Sequence, residues 1–192
     1  SAASDVYKRQ LLHLGKSSNP MRHKLIAEAK KYVFLTVPYW FKDETGKSML
    51  EEFKKLKNDR PEVEVKVMVD WTSPVSTGDI FGTKFYHDLE KALGRENVSQ
   101  WNKLWSFKRF SGKIWKNRIH DKIFVVDGEK MIMGGMNMGD DYLLGGVNSK
   151  GWHDTDILFE GPVAQQGAQL FLKPQLFQQE MDVMFSVRPK ND

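Results

Sequence analysis

The chain has 192 residues, of which 40% are hydrophobic and 28% charged, so its composition predicts one globular domain and excludes a disordered chain. Its 29 basic and 25 acidic residues give a net charge of +4, which permits an anionic partner without requiring one. The sequence has no cysteine, which excludes thiolate catalysis, disulfides and cysteine-bound metals. No run of 18 apolar residues occurs, so no membrane-spanning helix is predicted within the chain, and the compartment stays undetermined.

The chain begins with Ser1, and residues 1–18 lack the apolar core of a signal peptide. We interpret 1–18 as a foreign leader or the start of an internal fragment, and we expect the domain to cover 19–192. Asn19 and Pro20 fit the cap and the first position of a helix. The elements predicted after them are a helix to about residue 31, strand 32–37, helix 46–58, strand 62–69, a helix capped by Asp79 that runs to about 93, strand 119–127, short strand 131–133, strand 154–160 and a helical region after 161.

Strands and helices alternate through the first hundred residues, which favours an α/β sandwich with helices on both faces of a sheet. The turn at Asp127 and Gly128 joins two short strands closely enough to make them antiparallel. The sequence therefore predicts a mixed β-sheet between helices, in a single α/β domain.

The segment from residue 118 to residue 141 carries the candidate chemistry. On strand 119–127, His120 and Lys122 lie two residues apart and project from the same face, while the other face takes Ile119, Asp121, Ile123 and Val125. The pair Gly134 and Gly135 follows the next strand, where missing Cβ atoms would let a ligand approach the backbone. Further candidate residues are Asp127, Asn137, Asp154 and Asp156.

These residue types suit a phosphate group. A lysine neutralises phosphoryl oxygens, an amide donates hydrogen bonds to them, and a histidine can attack phosphorus or protonate a leaving alkoxide. The fixed cations take the place of a metal, so we expect no cofactor. Asp154 and Asp156 point the same way on a strand, but the sequence offers no third ligand, and we do not predict a metal site there.

The spacing of His120, Lys122, Asp127, Gly134, Gly135 and Asn137 matches the HKD motif of the phospholipase D superfamily, and the chain is therefore similar to that family. Two further segments, 134–143 and 152–163, resemble those of bacterial cardiolipin synthase-like members. The resemblance implies a phospholipase D-like fold and a phosphodiesterase or phosphatidyl transferase that works through a phosphohistidine. In enzymes of this family, the histidine of one motif attacks phosphorus, and the histidine of a second motif protonates the leaving alcohol.

The resemblance also implies a role for each matching residue. His120 is the nucleophile or its acid–base partner, Lys122 and Asn137 hold the phosphoryl oxygens, and Asp127 is mainly structural. The acidic residue that orients an imidazole in relatives falls near Asp154, with Asp156 as the competitor. Gly134 and Gly135 complete the substrate-binding segment.

The chain departs from the family pattern because it contains one such motif, at 120–137, whereas the chemistry needs two histidines. The second motif comes either from a missing C-terminal half or from a second copy in a symmetric homodimer. We favour the missing half, because the segment after Gly135 resembles the first half of two-motif, lipid-type members.

Residues 101–118 interleave lysines and arginines with tryptophan and phenylalanine and contain no acid. Such a segment suits a membrane surface, single-stranded nucleic acid or simply a strand with one buried aromatic face, and nucleic acid is the less favoured ligand.

Three functions follow. The leading one is phosphatidyl transfer or phospholipid hydrolysis. The alternatives are a homodimeric, metal-independent nuclease and a non-catalytic domain that keeps the phosphate pocket.

Overall fold

A computed structural model describes residues 8–70, 72–73, 84–101, 118–148 and 151–173. Their strands form one seven-stranded mixed sheet in the order β1-β7-β6-β5-β2-β3-β4. The strands are β1 (Lys8–His13), β2 (Tyr32–Val37), β3 (Glu64–Asp70), β4 (Val98–Trp101), β5 (Ile123–Val126), β6 (Lys130–Gly134) and β7 (Thr155–Glu160). β2, β3 and β4 pair in parallel, whereas β2–β5, β5–β6, β6–β7 and β7–β1 are antiparallel. The prediction of a mixed α/β sheet is confirmed.

Helices cover both faces of the sheet. They are α1 (Gly15–Glu28), α2 (Glu44–Asp59), α3 (Lys84–Leu93), the short α4 (Asp140–Leu143) and α5 (163–173), with a 3-10 turn at Arg95–Asn97. The larger core lies under α1, α2 and α3 and includes Leu25, Phe53 and Leu89. The second core lies under α5, where Phe171 stacks on Phe34. The even and odd positions of β5 divide between these cores, because strand side chains alternate between faces.

The N-terminal segment differs from the prediction. We set residues 1–18 aside as a leader, but Lys8–His13 form the edge strand β1, which pairs with β7 along its whole length. Leu12 is the only buried residue of β1, so the segment lacks the apolar alternation that would have predicted a strand. α1 begins at Gly15 rather than at Pro20, which lies inside the helix. The chain turns into α1 at Leu14, whose N–H donates to the Asp154 carbonyl.

Other boundaries also differ. α2 begins at Glu44 and is capped by Asp43, two residues before the predicted start. β4 was not predicted, because its four residues offer too short a pattern. The predicted strand 119–127 is shorter than expected, since β5 begins at Ile123. Residues 79–83 of the predicted helix 79–93, most of 101–118 and the segment after 173 lie outside the described residues.

Candidate active site

The predicted site residues meet at one edge of the sheet, apart from Asp127. β2 ends and β5 begins at this edge, where Thr36 pairs with Ile123. β6 ends and β7 begins beside them, where Gly134 pairs with Asp156. The segments that follow β2, β3 and β6 and those that precede β5 and β7 therefore come together, and we call this the site edge.

His120 and Lys122 converge at the site edge. The Lys122 Nζ lies 3.5 Å from the His120 Nε2 and donates a hydrogen bond to the His120 carbonyl at 3.0 Å. The imidazole is exposed, whereas the lysine is buried. Both residues precede β5 instead of lying within a strand. Ile119 and Ile123 pack into the second core as predicted, whereas Asp121, which was expected on the same face, is exposed. The His120 imidazole and the Lys122 ammonium are thus direct neighbours at the site edge.

The environment of Lys122 favours an anionic ligand. Burial lowers the pKa of the Lys122 ammonium below its usual value, and the negative charges of Asp154, Asp121 and Asp156 counteract part of that effect. A buried ammonium has lost much of its hydration, so an anion that approaches it recovers electrostatic stabilisation that water no longer provides.

Asn137 is buried in the segment after β6, beside the residues that follow β2. Its side-chain oxygen accepts the Tyr39 N–H at 3.4 Å, so the amide nitrogen is the end that can donate to a ligand. The segment is held in place by two backbone hydrogen bonds, from the Met138 N–H to the Tyr39 carbonyl and from the Phe41 N–H to the Met138 carbonyl.

The two glycines have a different use from the predicted one. A Cβ on Gly135 would overlap the Asp154 carboxylate, and a Cβ on Gly134 would overlap Asp156 and the Thr155 carbonyl. The space beside these glycines is therefore filled by the start of β7, and is not left open for a ligand. The glycines let two carboxylates approach the site segment closely.

Asp154 and Asp156 have separate environments. The Asp154 carboxylate accepts the Thr155 N–H at 2.7 Å, and among the described residues no hydrogen bond joins it to the His120 ring. Asp156 is fully buried, forms an ion pair with Arg22 at 2.8 Å and accepts a hydrogen bond from the Ser18 hydroxyl. Asp156 is thus bound to α1, and Asp154 is the carboxylate whose charge acts most strongly on Lys122. That Asp154 orients an imidazole stays a prediction.

Asp127 lies at the opposite edge of the sheet, beyond the other end of β5. Its carboxylate accepts the backbone N–H groups of Lys30, Lys31 and Tyr32 at 2.7–2.9 Å, and its own backbone has a φ of 57°. These bonds fasten the start of β2 to the turn after β5. The contacts of Asp127 are consistent with a structural role and place it away from His120.

Sequence reasoning missed three residues at the site edge. Asp70, which ends β3, is fully buried and forms an ion pair with Arg118 at 2.8 Å. The Arg118 guanidinium also reaches the Tyr39 hydroxyl at 3.5 Å. An aspartate that closes a strand of buried valines was the available signal for Asp70, whereas nothing local indicated its partner 48 residues away.

The described ranges contain neither a metal-binding cluster of side chains nor a membrane-spanning helix. Within them, no three His, Asp or Glu side chains lie close enough to hold a metal ion. None of the described helices has the length and hydropathy to cross a bilayer.

Comparison with known proteins places the chain in a family. The sequence profile of the family described as "Cardiolipin synthase, PLD-like domain" matches residues 23–169. Cardiolipin synthase 1 of Staphylococcus aureus (strain COL) is 33% identical over 140 residues, which are 72% of this chain and 26% of that protein. The chain therefore belongs to the phospholipase D superfamily, as a PLD-like domain related to cardiolipin synthases.

Solved structures show the same fold. Phosphatidylserine synthase of Haemophilus influenzae superposes with a TM-score of 0.64 at 22% identity, covering 82% of this chain and 34% of the other. Nuc of Salmonella typhimurium, a phospholipase D family member, superposes with a TM-score of 0.59 at 14% identity, covering 91% of this chain and 95% of the other. The chain spans about a quarter of the length of the cardiolipin synthase that it matches.

Proposed function

We propose that this domain supplies one half of a phosphodiesterase or phosphatidyl transferase site, with His120 as the residue that reacts at phosphorus. The observation that supports this most directly is the 3.5 Å approach of the Lys122 Nζ to the His120 Nε2, with the imidazole exposed. A cation next to an accessible nucleophile suits an anionic phosphodiester, because the ammonium offsets the charge that would repel attack.

The proposed reaction has two steps. A neutral imidazole nitrogen of His120 attacks phosphorus, the bond from phosphorus to the leaving oxygen breaks, and an acid outside this motif protonates that oxygen. The group that acted as the acid in the first step then serves as a base. It takes a proton from water or an acceptor alcohol, whose oxygen attacks phosphorus, breaks the phosphorus–nitrogen bond and frees His120. Lys122 and the Asn137 amide hold the non-bridging oxygens in both steps, where their charge and hydrogen bonds stabilise the transition state.

We propose a phospholipid as the substrate. The support is the similarity to a cardiolipin synthase over 72% of the chain and the shared fold with a phosphatidylserine synthase. The exposed Trp152, which stands two residues before Asp154 and contacts Tyr142 edge to face at 4.8 Å, fits contact with a lipid interface. A similar role for 101–118 stays an expectation, because most of that segment lies outside the described residues.

A trapping experiment tests the proposal. The protein would be incubated with vesicles of phosphatidylglycerol, quenched in base, and examined by mass spectrometry for a base-stable phosphatidyl adduct on His120. The His120→Gln variant should show neither adduct nor product, whereas His87→Asn, which changes an exposed histidine on α3, should behave as the unaltered chain. Absence of adduct and product with every phosphodiester, in the chain and in any longer parent protein, would contradict the proposal.

A second candidate is a homodimeric, metal-independent nuclease. It is supported by the structure of Nuc, a chain of nearly the same size. The superposition covers 91% of this chain and 95% of Nuc. Cleavage of plasmid DNA that persists in EDTA and is lost in His120→Gln would favour it. A monomeric mass in light scattering would count against it, because one chain supplies a single motif.

The third hypothesis is a domain that binds phosphate but catalyses no reaction. It predicts that inorganic phosphate or tungstate binds and that binding weakens in Lys122→Met, while no phosphodiester is cleaved. The source of the second motif, a longer chain or a second copy, is decided by the mass of the active species and by the gene sequence after Asp192.

A further inference from the structure

The Asp70 carboxylate accepts four hydrogen bonds and forms an ion pair at the site edge. It accepts hydrogen bonds from the Arg118 Nε at 2.9 Å and the Ile119 N–H at 3.1 Å, and it lies 2.8 Å from the Arg118 Nη2 in the ion pair. It also accepts the N–H and the hydroxyl of Thr72, each at 2.9 Å. Such donors replace water around this fully buried carboxylate, so these contacts hold the Asp70 carboxylate and its partners in one arrangement.

This arrangement clamps the short segment that carries His120. On one side, the N–H of Ile119, the residue directly before His120, is bonded to Asp70. On the other side, Ile123 pairs with Thr36 of β2 and Met133 of β6. The three residues between these fixed points are 120, 121 and 122, so the position of the imidazole depends on both anchors.

Arg118 extends the clamp to the second half of the motif. Its guanidinium reaches the Tyr39 hydroxyl at 3.5 Å, and the Tyr39 N–H is bonded to the Asn137 side chain at 3.4 Å. The His120 segment and the Asn137 segment, which are not neighbours along the chain, are thereby connected through the residues after β2.

We propose that Asp70 is a positioning residue, which sets the location of the His120 imidazole relative to Lys122 through Ile119 and Arg118. Asp70 is fully buried, so in this proposal it acts through its neighbours and not by contact with a substrate. The kinetic part of this inference rests on the proposed function, since a misplaced nucleophile slows the chemical step more than it weakens binding. The structural part is independent of any activity.

The test compares the unaltered chain with Asp70→Asn. The asparagine keeps the shape but loses the charge that holds Arg118. We expect the NMR signals of the His120 ring to shift, and kcat to fall about 10- to 100-fold while KM changes less than about twofold. The His120 signals are assigned by their loss in His120→Gln.

Arg60→Ala is the matched control. The Arg60 guanidinium caps carbonyls at the end of α1, including those of Ala27 and Ile26, at the edge opposite the site. This variant should lower the melting temperature while leaving the His120 signals and kcat in place. A shift of the His120 signals of equal size in Arg60→Ala would overturn the inference, because a general loss of stability would then explain both variants.

The outcomes separate the two proposals. If no phosphodiester is turned over but the His120 signals shift in Asp70→Asn alone, the proposed function fails and the positioning role stands. If Asp70→Asn folds with unshifted His120 signals and an unchanged kcat, the positioning role is overturned. Should Asp70→Asn not fold, Arg118→Lys provides the same comparison, since it keeps a positive charge near Asp70 but loses the reach to Tyr39.

Discussion

Asp43 and Asp140 cap each other's helices. The Asp140 carboxylate accepts the Thr45 N–H in the first turn of α2 at 2.8 Å, and the Asp43 carboxylate accepts the Asp140 N–H at the start of α4 at 2.7 Å. Asp43 also caps its own helix through the Gly46 N–H at 3.0 Å. This exchange joins the segment after β2 to the segment after β6, so Asn137 lies on a stretch fixed at both ends.

The reciprocal caps predict a coupled loss of stability. Asp140→Ala removes the acceptor of the Thr45 N–H and should lower the free energy of unfolding by about 0.5–2 kcal/mol, the usual contribution of a helix cap. Asp43→Ala should cost at least as much, because two N–H groups lose their acceptor. The double variant should cost less than the sum, since the two residues share one network.

Equilibrium urea denaturation followed by circular dichroism measures these values. Asp141→Ala is the control, because Asp141 is exposed and its backbone carbonyl, not its carboxylate, makes the contact to Trp152. Strict additivity of the two single variants would show that the caps act separately.

The buried ion pair between Arg22 and Asp156 makes a second stability prediction. Asp156→Leu leaves the Arg22 guanidinium, which is 3% exposed, without its carboxylate, and should destabilise the fold by about 3–5 kcal/mol. The pair variant Arg22→Met with Asp156→Leu should recover most of that loss, because it removes the unpaired charge. Urea midpoints provide the comparison.

An exposed pair is the control for this experiment. Lys54 and Glu51 lie on the surface of α2, and Lys54→Ala should change the free energy of unfolding by less than about 1 kcal/mol. If Asp156→Leu were no more destabilising than Lys54→Ala, the buried ion pair would not fasten α1 to β7.

Local sequence patterns predicted those structural features that are formed by residues close together in the chain. The convergence of His120 and Lys122 follows from their two-residue separation, and the antiparallel pairing of β5 with β6 follows from a turn of three residues. The family fold followed from one motif, whose spacing depends on the same hairpin.

Contacts between distant segments were not predictable in the same way. Asp70 and Arg118 are 48 positions apart, and the sequence around either residue does not indicate the other as its partner. Sequence spacing left Asp154 and Asp156 as competitors, because both point the same way on a strand. The ion pair of Asp156 with Arg22 in α1 separates their environments, and no local pattern indicates that contact, because the two residues are 134 positions apart. β1 was missed for a related reason, since an exposed edge strand needs only its backbone to pair.

The lowered pKa of Lys122 predicts how anion binding depends on pH. Because burial lowers this pKa, the ammonium loses its proton below 10.5, the ordinary value for lysine. The affinity for inorganic phosphate should therefore fall as the pH rises through this lowered pKa, at a pH below 10.5. In Lys122→Arg the fall should be absent, since a guanidinium stays charged over that range. Lys24→Arg, at an exposed position, should retain it.

Isothermal titration calorimetry across this pH range measures the affinity. Equal alkaline losses in Lys122→Arg and in the unaltered chain would mean that another group controls binding.

The same shift has a defined effect on stability. Between the lowered pKa and 10.5, the unfolded chain binds more protons at Lys122 than the folded chain does. The free energy of unfolding therefore gains with rising pH from this residue, and the gain is absent below that window, where both states are charged. Lys122→Met should lack the gain, so in phosphate-free buffer the free energy of unfolding of the unaltered chain should rise with pH relative to that of Lys122→Met. A difference that stays constant up to pH 10.5 would contradict the assignment.

The two glycines of the site should respond differently to alanine. At Gly134 the added Cβ meets the Thr155 carbonyl and the Asp156 Cα, which are backbone atoms of β7 and can move only if the strand pair opens. At Gly135 the added Cβ meets only the Asp154 carboxylate among its three nearest atoms, and a side chain can rotate away. Gly134→Ala should therefore cost about 1–3 kcal/mol of stability by overpacking, and Gly135→Ala clearly less.

The smaller stability loss in Gly135→Ala should be accompanied by an effect on the site. Rotation of the Asp154 carboxylate removes a negative charge from beside Lys122, and that charge supports the protonated amine. The alkaline loss of phosphate affinity should then begin at a lower pH in Gly135→Ala than in the unaltered chain. Asp154→Asn should reproduce this displacement without any added Cβ. If Asp154→Asn left the phosphate titration unmoved while Gly135→Ala shifted it, the effect of the glycine would run through the backbone and not through Asp154.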